Sequence, residues 1–292
     1  MFDSNKFATL SQTRCGGLAA CGAAASLREA GRRLRPVHIL LTNDDGITSR
    51  GLFEAKQALE RHGSVSVIAP DSNRSGSARS ITIDRPLTVA EVELRDGSTG
   101  FATDGTPVDC VRFGELGLVG ERPDLIVSGI NYGYNLGDDV TYSGTVAAAF
   151  EGILLGIQGI AISQGAPTAS GSDFRRHEDY DFGPAADFLG ELVGRVIEHG
   201  LPAGTVLNVN VPSQPDGVAV GRLGKRIYAD TLEQEADAAG RRRYRIYGDE
   251  PSYHDEPGTD FRAIAEGKIA ITPIHLDLTS TSGIEALGHW SL

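Results

Sequence analysis

The sequence is poor in cysteine and has no long apolar run. Its three cysteines, Cys15, Cys21 and Cys110, leave one unpaired in any disulfide scheme, and no Cys-x-x-Cys motif or Cys/His cluster accompanies them. This usage is typical of a reducing compartment, so we expect a cytoplasmic protein. No apolar run approaches the roughly 20 residues that cross a bilayer, which argues against an integral membrane protein.

Cationic side chains are also scarce relative to acidic ones. Lysine and arginine number 27 against 39 aspartates and glutamates, which gives a formal net charge of −12. Such a charge repels polyanions and argues against binding to a nucleic acid polymer. A ligand that carries a phosphate must then be bound locally, by a cation or by backbone N–H groups.

The rest of the composition is that of an ordinary globular protein. The 292 residues are 40% hydrophobic and 23% charged, which suits one large α/β domain or one domain with an appendage. Residues 1–36 stand apart because their centre is rich in glycine and alanine. "LAAC" and "AAAS" resemble cleavage sites of exported proteins, but Arg14 and several glycines interrupt the apolar stretch. We therefore predict a mobile extension, or residues that precede an alternative start codon.

From residue 37 onward, short apolar runs alternate with helical patterns. Strands are predicted at 37–41, 65–69, 125–127, 160–162 and 206–211, and helices at 51–61, 108–118, 145–155 and 185–199. This alternation predicts an α/β fold with a mostly parallel sheet and helices on both of its faces.

After about residue 221 the alternation fails. Residues 240–248, "GRRRYRIYG", are predicted to be exposed and extended, and a polar loop follows them. A run of charges is more often a solvated face, although such an arm can also reach a neighbouring subunit. We predict a core at 37–220 and, at 221–292, a C-terminal extended arm with closing elements.

Two adjacent aspartates follow the first predicted strand, in "HILLTNDDGITSRGL". Asp44 and Asp45 fall at the carboxyl end of that strand, where ligands bind in open parallel sheets. A simple turn with a helix cap explains one aspartate and Gly46, but it leaves the second carboxylate uncompensated. A hard divalent cation would cancel the repulsion between the two, so the pair favours a metal site over a turn.

Polar loops follow two other predicted strands. "APDSNRSGSARS" supplies Asn73, Arg74 and Ser75, whereas "NYGYNLGDDVTYSGT" supplies four polar side chains, Asn131, Asn135, Asp138 and Asp139, before Ser143-Gly144-Thr145. This last run immediately precedes a predicted helix, whose free N–H groups and dipole favour an anion such as phosphate. Its simpler interpretation is a helix N-cap.

These segments together resemble the SurE family, the survival-protein nucleotidases. The resemblance lies in "ILLTNDDGITSRGL", "VIAPDSNRSGSA", "GTPVDCV", "DLIVSGINYGYNLGDDVTYSGTVAAAFEG" and "ITPIHLDLT", which occur in order between residues 38 and 279. It implies a Rossmann-like catalytic core and C-terminal elements used in oligomerisation, as a homodimer or homotetramer. It also implies a phosphatase that needs one divalent ion per subunit, Mg²⁺ or Mn²⁺, and acts on nucleoside 5′-monophosphates. Nucleoside 3′-monophosphates and short polyphosphate are further candidate substrates.

The resemblance also assigns roles to individual residues. The implied metal ligands are Asp44, Asp45, Ser75 and Asn131, of which the two aspartates are also the candidate catalytic residues. The implied phosphate-binding residues are Asn43, Asn131, Ser143, Gly144 and Thr145. One departure from the family pattern is Tyr134, which stands where the family often has proline.

Two alternative functions stay open at this point. In the first, Asp44 is itself the nucleophile of an aspartyl-phosphate enzyme, although such enzymes typically carry Asp-x-Asp at the strand end. In the second, the protein binds a nucleotide through the metal without turnover and acts as a sensor.

Overall fold

The fold is described from a computed structural model for residues 36–165, 180–228, 231–235, 241–246 and 252–290. The predicted extension at residues 1–36 lies outside these ranges except for Pro36. The strands are β1 Val37–Thr42, β2 Gly63–Pro70, β3 Val89–Glu93, β4 Thr99–Thr103, β5 Leu125–Tyr132, β6 Gln158–Gln164, β7 Thr205–Val211, β8 Val218–Val220, β9 Arg226–Ile227, β10 Glu233–Glu235, β11 Arg243–Arg245, β12 Ser252–Tyr253 and β13 Ile269–His275. The α-helices are α1 Arg50–Leu59, α2 Pro107–Glu115, α3 Gly144–Leu155, α4 Gly183–His199, α5 Asp260–Ala265 and α6 Thr281–Gly288, and a 3₁₀ helix spans Gly137–Thr141.

Nine strands of the described chain form the main sheet, in the order β3-β4-β2-β1-β5-β6-β7-β13-β8. The six consecutive strands from β4 to β7 in this order are parallel to one another. The edge strand β3 is antiparallel to β4, and β13 is antiparallel to β7. The predicted α/β fold with a mostly parallel sheet is confirmed.

Helices cover both faces of the sheet because the central strands are apolar on both sides. Ile39 and Leu41 of β1 pack into a core cluster with residues of α1 and α4. Leu40, which points to the opposite face, packs with Cys110 of α2 and Ala148 of α3. Burial raises the pKa of the Cys110 thiol to about 12, as befits a core residue rather than a nucleophile.

Local sequence signals mark where several helices begin. The Ser49 hydroxyl caps α1 by accepting a hydrogen bond from the Leu52 N–H. Thr106 and Asp109 form a reciprocal capping box at the start of α2, next to Pro107. In the described part of the chain, no helix is both long and apolar enough to cross a membrane.

The described residues after 221 supply one strand to the main sheet and four strands to two small sheets. β13 enters the main sheet between β7 and β8, whereas β9 pairs with β12 and β10 pairs with β11 in two small separate sheets. The predicted extended segment at 240–248 contains β11, and its remaining residues lie partly outside the described ranges. The domain boundary at residue 220 stays a prediction.

Candidate functional site

The strand order reverses between β1 and β5. From β1 the chain continues through β2 and β4 on one side, and β5, β6 and β7 follow on the other. Loops that leave neighbouring strands in opposite directions open a crevice at such a point, which is where open α/β sheets bind ligands. The Asp44-Asp45 pair follows β1 directly, so the two carboxylates lie at this crevice.

The turn after β1 is closed by the side chain of Asn43. Its Nδ2 donates to the Gly46 carbonyl at 3.1 Å and to the Ser49 hydroxyl at 2.6 Å, and its Oδ1 accepts from the Gly46 N–H at 3.1 Å. Gly46 has a φ of +103°, which favours glycine. Asn43 therefore shapes the loop that presents Asp44 and Asp45, and its predicted contact with phosphate stays a prediction.

Asp44 is held by the first turn of α3. Its Oδ1 accepts a hydrogen bond of 2.7 Å from the Thr145 hydroxyl, and its Oδ2 accepts one of 3.0 Å from the Thr145 N–H. Gly144 leaves room for this contact, because a Cβ there would lie 2.9 Å from both Cβ and Oδ2 of Asp44. The Ser143 hydroxyl caps the same helix by accepting from the Val146 N–H at 3.1 Å.

Asp45 is held by two other strand ends. Its Oδ2 accepts a hydrogen bond from the Tyr132 N–H at 3.2 Å, at the end of β5. Its Oδ1 accepts one from Nδ2 of Asn73 at 3.4 Å, in the loop after β2. Asn73 also accepts from the Ser75 N–H at 2.8 Å through Oδ1. The structure thus links Ser75 to Asp45 through Asn73.

Among the residues that the structure describes, neither carboxylate is matched by a cationic side chain. Burial raises the pKa of Asp44 although the Thr145 hydrogen bonds oppose the shift. Burial and the neighbouring charge of Asp44 raise the pKa of Asp45 to about 7, against the effect of the Tyr132 N–H. No cationic side chain of the described residues contributes to either shift. A cation bound beside the pair would offset the repulsion between the two charges.

Asn131 presents a neutral oxygen at the end of β5. The residue is 8% exposed, and its Nδ2 donates to the Gly133 carbonyl at 2.9 Å and to the Tyr132 carbonyl at 3.3 Å. Because the donor end of the amide is used in this way, Oδ1 remains as the acceptor end for another group. The pairing register of β5 and β6 shifts between Ser128 and Asn131, which sets Asn131 off from the regular strand.

The donor set fits a hard divalent cation. In the part of the chain that the structure describes, no three His, Cys, Asp or Glu side chains converge on one point. A cation at Asp44 and Asp45 would therefore depend on neutral oxygens as well, and Ser75 and Asn131 supply a hydroxyl and an amide oxygen. Mg²⁺ and Mn²⁺ prefer such all-oxygen sets.

Comparisons with known proteins agree with this geometry. The family model described as "Survival protein SurE" matches residues 39–230. A protein named 5′-nucleotidase SurE from Rubrobacter xylanophilus is 50% identical over 263 residues, which cover 88% of this chain and 98% of the relative. One of the same name from Geobacter sulfurreducens is 44% identical, with 88% and 94% covered.

A solved structure is similar over almost the same length. The crystal structure of the SurE protein from Aquifex aeolicus is 37% identical, with a TM-score of 0.71. The match covers 86% of this chain and 98% of that one. The chain belongs to the SurE family. The predicted family resemblance is confirmed, and the relatives show that the region of likeness extends well beyond the metal-site segments.

A buried polar cluster, which the sequence patterns did not assign, holds the Asn131–Asp139 loop of this SurE chain. The Asn135 carbonyl accepts from Nδ2 of Asn208 at 2.8 Å and from Nδ2 of Asn210 at 2.9 Å. Oδ1 of Asn210 accepts from the Asn135 N–H at 2.8 Å, and Nδ2 of Asn135 donates to the Ser163 hydroxyl at 2.8 Å. The sequence did carry a signal for this cluster, namely two asparagines at alternate positions of an otherwise apolar strand, "VLNVNV".

The other polar residues predicted in this loop serve the C-terminal part of the SurE chain. Asp138 accepts from the Arg226 N–H at 2.9 Å, and Asp139 accepts from Nε of Arg226 at 2.9 Å. The ring of Tyr134 lies against Gly165, where a Cβ would be 1.8 Å from it. Burial raises the pKa of Tyr134.

Proposed function

We propose that this SurE chain is a divalent-cation-dependent phosphomonoesterase that hydrolyses nucleoside 5′-monophosphates to nucleoside and phosphate. The observation that carries the proposal is the pair of adjacent carboxylates at the strand-order reversal, of which Asp44 is buried and Asp45 half-buried, without a compensating cation among the described residues. The names of relatives at 50% and 44% identity support the reaction and the substrate.

The proposed cofactor is one Mg²⁺ or Mn²⁺ ion per subunit. Asp44, Asp45, Ser75 and Asn131 would hold it. When bound, such an ion supplies positive charge to the phosphoryl oxygens and makes a bound water more acidic. The protein's own part is to fix the two carboxylates before the substrate arrives, through Thr145 on one side and the Tyr132 N–H on the other.

The phosphoryl group is proposed to lie against Asn131, Ser143 and Gly144, at the N-terminus of α3. The positive end of the helix dipole favours the negative charge of a phosphoryl group there. Asn43 and Thr145 are less suited to direct contact, because their polar groups are engaged by Gly46 and Asp44.

One alternative mechanism conflicts with the geometry at Asp44. An aspartyl nucleophile needs a carboxylate oxygen that can approach phosphorus in line. Asp44 is 3% exposed, and both of its oxygens accept hydrogen bonds from Thr145. We therefore propose direct hydrolysis by water rather than an aspartyl-phosphate.

The test is phosphate release from 5′- and 3′-nucleoside monophosphates and short polyphosphate, with Mn²⁺, Mg²⁺ or EDTA. Wild type is compared with Asp44→Asn and with Asp216→Asn, which changes an exposed aspartate elsewhere. We expect cation-dependent turnover of the 5′-nucleotides that falls at least about a hundredfold in Asp44→Asn and is unchanged in Asp216→Asn. The rates across this panel also show which base and which phosphate position the protein prefers.

The same assay separates the sensor alternative. Nucleotide binding that needs the cation, with no phosphate released from any substrate by folded, Mn²⁺-loaded protein, would overturn the proposed hydrolysis and favour a sensor. A phosphorylated protein trapped by acid quench would instead restore the aspartyl-phosphate mechanism.

We further propose that the C-terminal region mediates self-association into a dimer or tetramer. α6 buries none of its residues, and Leu278 and Trp290 on either side of it are 90% and 63% exposed. Isolated apolar side chains at this exposure are ordinary, but a helix without a buried face is usually covered by a partner. The cytoplasmic location expected from the cysteine count stays a prediction.

A further inference from the structure

Both hydrogen-bond donors of Thr145 are used by one side chain, that of Asp44. Its hydroxyl and its N–H reach the two oxygens of Asp44 at 2.7 and 3.0 Å, and the two residues are 0% and 3% exposed. A threonine hydroxyl has a single hydrogen, and an ionised carboxylate can only accept. While the hydroxyl holds Asp44, it presents only lone pairs to anything else, and lone pairs repel a phosphate oxygen.

We propose that Thr145 is a positioning residue for Asp44, which fixes the orientation of the carboxylate that the cation site requires and makes no direct contact with the phosphate. The inference rests on the proposed function, because it concerns the same cation site. It departs from the role that family resemblance implies for Thr145 as a phosphate-binding residue.

The first turn of α3 packs closely against the carboxylate of Asp44. The first N–H groups of a helix have no partner within the helix, and the dipole places positive charge there. Here the Thr145 N–H serves Asp44, because it donates to Oδ2 of that side chain at 3.0 Å. The close approach of Gly144 to Asp44 leaves no space for a side chain between them.

The backbone of Asp44 is fixed as firmly as its side chain. Its carbonyl accepts a hydrogen bond from the Arg74 N–H at 2.7 Å, in the loop after β2. The same loop is tied to the segment before α3, because the Ala78 N–H donates to the Tyr142 carbonyl at 3.1 Å. With backbone and carboxylate both restrained, loss of the Thr145 hydroxyl would free only the carboxylate.

The experiment compares Thr145→Val, which removes the hydroxyl at nearly constant shape, with Thr145→Ser, which keeps it. Thr141→Val is the matched control, because that hydroxyl donates to the Asp138 carbonyl outside the cation site. Two constants are measured for each protein: Mn²⁺ affinity of the metal-free form by electron paramagnetic resonance, and affinity for inorganic phosphate at saturating Mn²⁺ by calorimetry.

We expect Thr145→Val to weaken Mn²⁺ binding by about 10- to 100-fold, the usual effect of removing a group that orients a metal ligand. Phosphate affinity at saturating Mn²⁺ should stay as in wild type, and Thr145→Ser and Thr141→Val should resemble wild type in both constants. If Thr145→Val fails to fold by circular dichroism, Thr145→Ala replaces it in the same two measurements.

Two results would overturn the inference. One is unchanged Mn²⁺ affinity in a folded variant without the hydroxyl. The other is weakened phosphate binding at saturating Mn²⁺, which would return Thr145 to the phosphate. Neither measurement requires turnover, so a wild-type protein that releases no phosphate would refute the proposed function and still leave this inference decided by Mn²⁺ affinity.

Discussion

At the scale of single residues, the site depends on side chains that are unremarkable in type but closely placed. The Asp44-Asp45 pair could be singled out from the sequence pattern, because the two aspartates are adjacent at the end of an apolar run, whereas Asn131 was chosen among several oxygen donors only by the family resemblance. The partner of Asp44 was not predictable from pattern, since a Ser-Gly-Thr turn before a helix suits a phosphate as well as a carboxylate. The fold shows that Thr145 of this turn contacts the carboxylate of Asp44.

Gly144 gives the sharpest test at this scale. In Gly144→Ala the new methyl group would fall 2.9 Å from Cβ and Oδ2 of Asp44 and 3.2 Å from the Ser77 hydroxyl, so the carboxylate or the helix must move. We expect a loss of Mn²⁺ affinity of about tenfold or more, measured by electron paramagnetic resonance. Gly288→Ala is the control, because no atom lies within 4 Å of a Cβ there. Equal Mn²⁺ affinity in both variants would contradict the close-contact argument.

At the scale of elements, the strands and helices of the core followed from the apolar periodicity, with bounds shifted by a few residues. The β3–β4 hairpin did not, because β3 lies at the sheet edge and most of its residues face solvent, which removes the apolar pattern. The parallel pairing of β4 with β2 places the hairpin in the sheet, and an ion pair ties its turn to α1. Lys56 of α1, 4% exposed, donates to Asp96 in the hairpin turn and to Glu60, each at 2.5 Å.

This ion pair predicts a pH-dependent contribution to stability. Hydrogen bonds from Lys56 and Ser98 hold the pKa of Asp96 well below its ordinary value of 3.8. A group whose pKa is lower in the folded state stabilises the fold at pH values above its pKa in the unfolded state. This stabilisation is lost as the pH falls through its pKa in the folded state. We expect Asp96→Asn to lower the free energy of unfolding by about 1 kcal/mol at pH 7, and the difference from wild type to shrink below pH 3.8. Urea unfolding at several pH values measures it; a difference that grows on acidification would refute the assignment.

Asp260 makes a second prediction at the element scale. It is 1% exposed, and its Oδ2 accepts from the Gly137 N–H at 2.7 Å while Oδ1 accepts from the N–H groups of Gly224 and Phe261. Asp260→Asn replaces one acceptor by a donor, which leaves a buried N–H unpaired at a cost of about 1–3 kcal/mol. We expect a matching loss in the free energy of unfolding, measured in urea. Asp255→Asn, an exposed neighbour, should change it by much less.

At the scale of the whole molecule, the sequence predicted that regular alternation ends near residue 221 but not where the later residues go. β13 pairs antiparallel with β7 and parallel with β8. Neither pairing has a local signal, because the partner of a strand is set by the topology of the whole sheet. The same limit applies to α6, whose apolar residues could not be assigned to a core or a surface from periodicity alone.

The single tryptophan reports on the proposed self-association. Trp290 is 63% exposed, next to α6. If another copy covers this region, the emission of Trp290 should shift to shorter wavelength as protein concentration rises. The shift should follow the increase in mass measured by sedimentation. Ile284→Glu with Leu287→Glu should abolish both changes, whereas Ile83→Glu, at an exposed apolar residue elsewhere, should leave them. A monomer at all concentrations would exclude this surface as an interface.

The contact between Asp44 and Thr145 joins positions 101 residues apart. A chain growing on the ribosome would therefore carry its acidic pair for about a third of its synthesis before the group that orients it appears. With the proposed cation site, ion binding would be restricted to the finished fold, and a ligand that binds only the folded state adds its binding energy to folding. In a cell, the supply of the divalent ion would thus govern how much of the newly made protein survives as well as how fast it works.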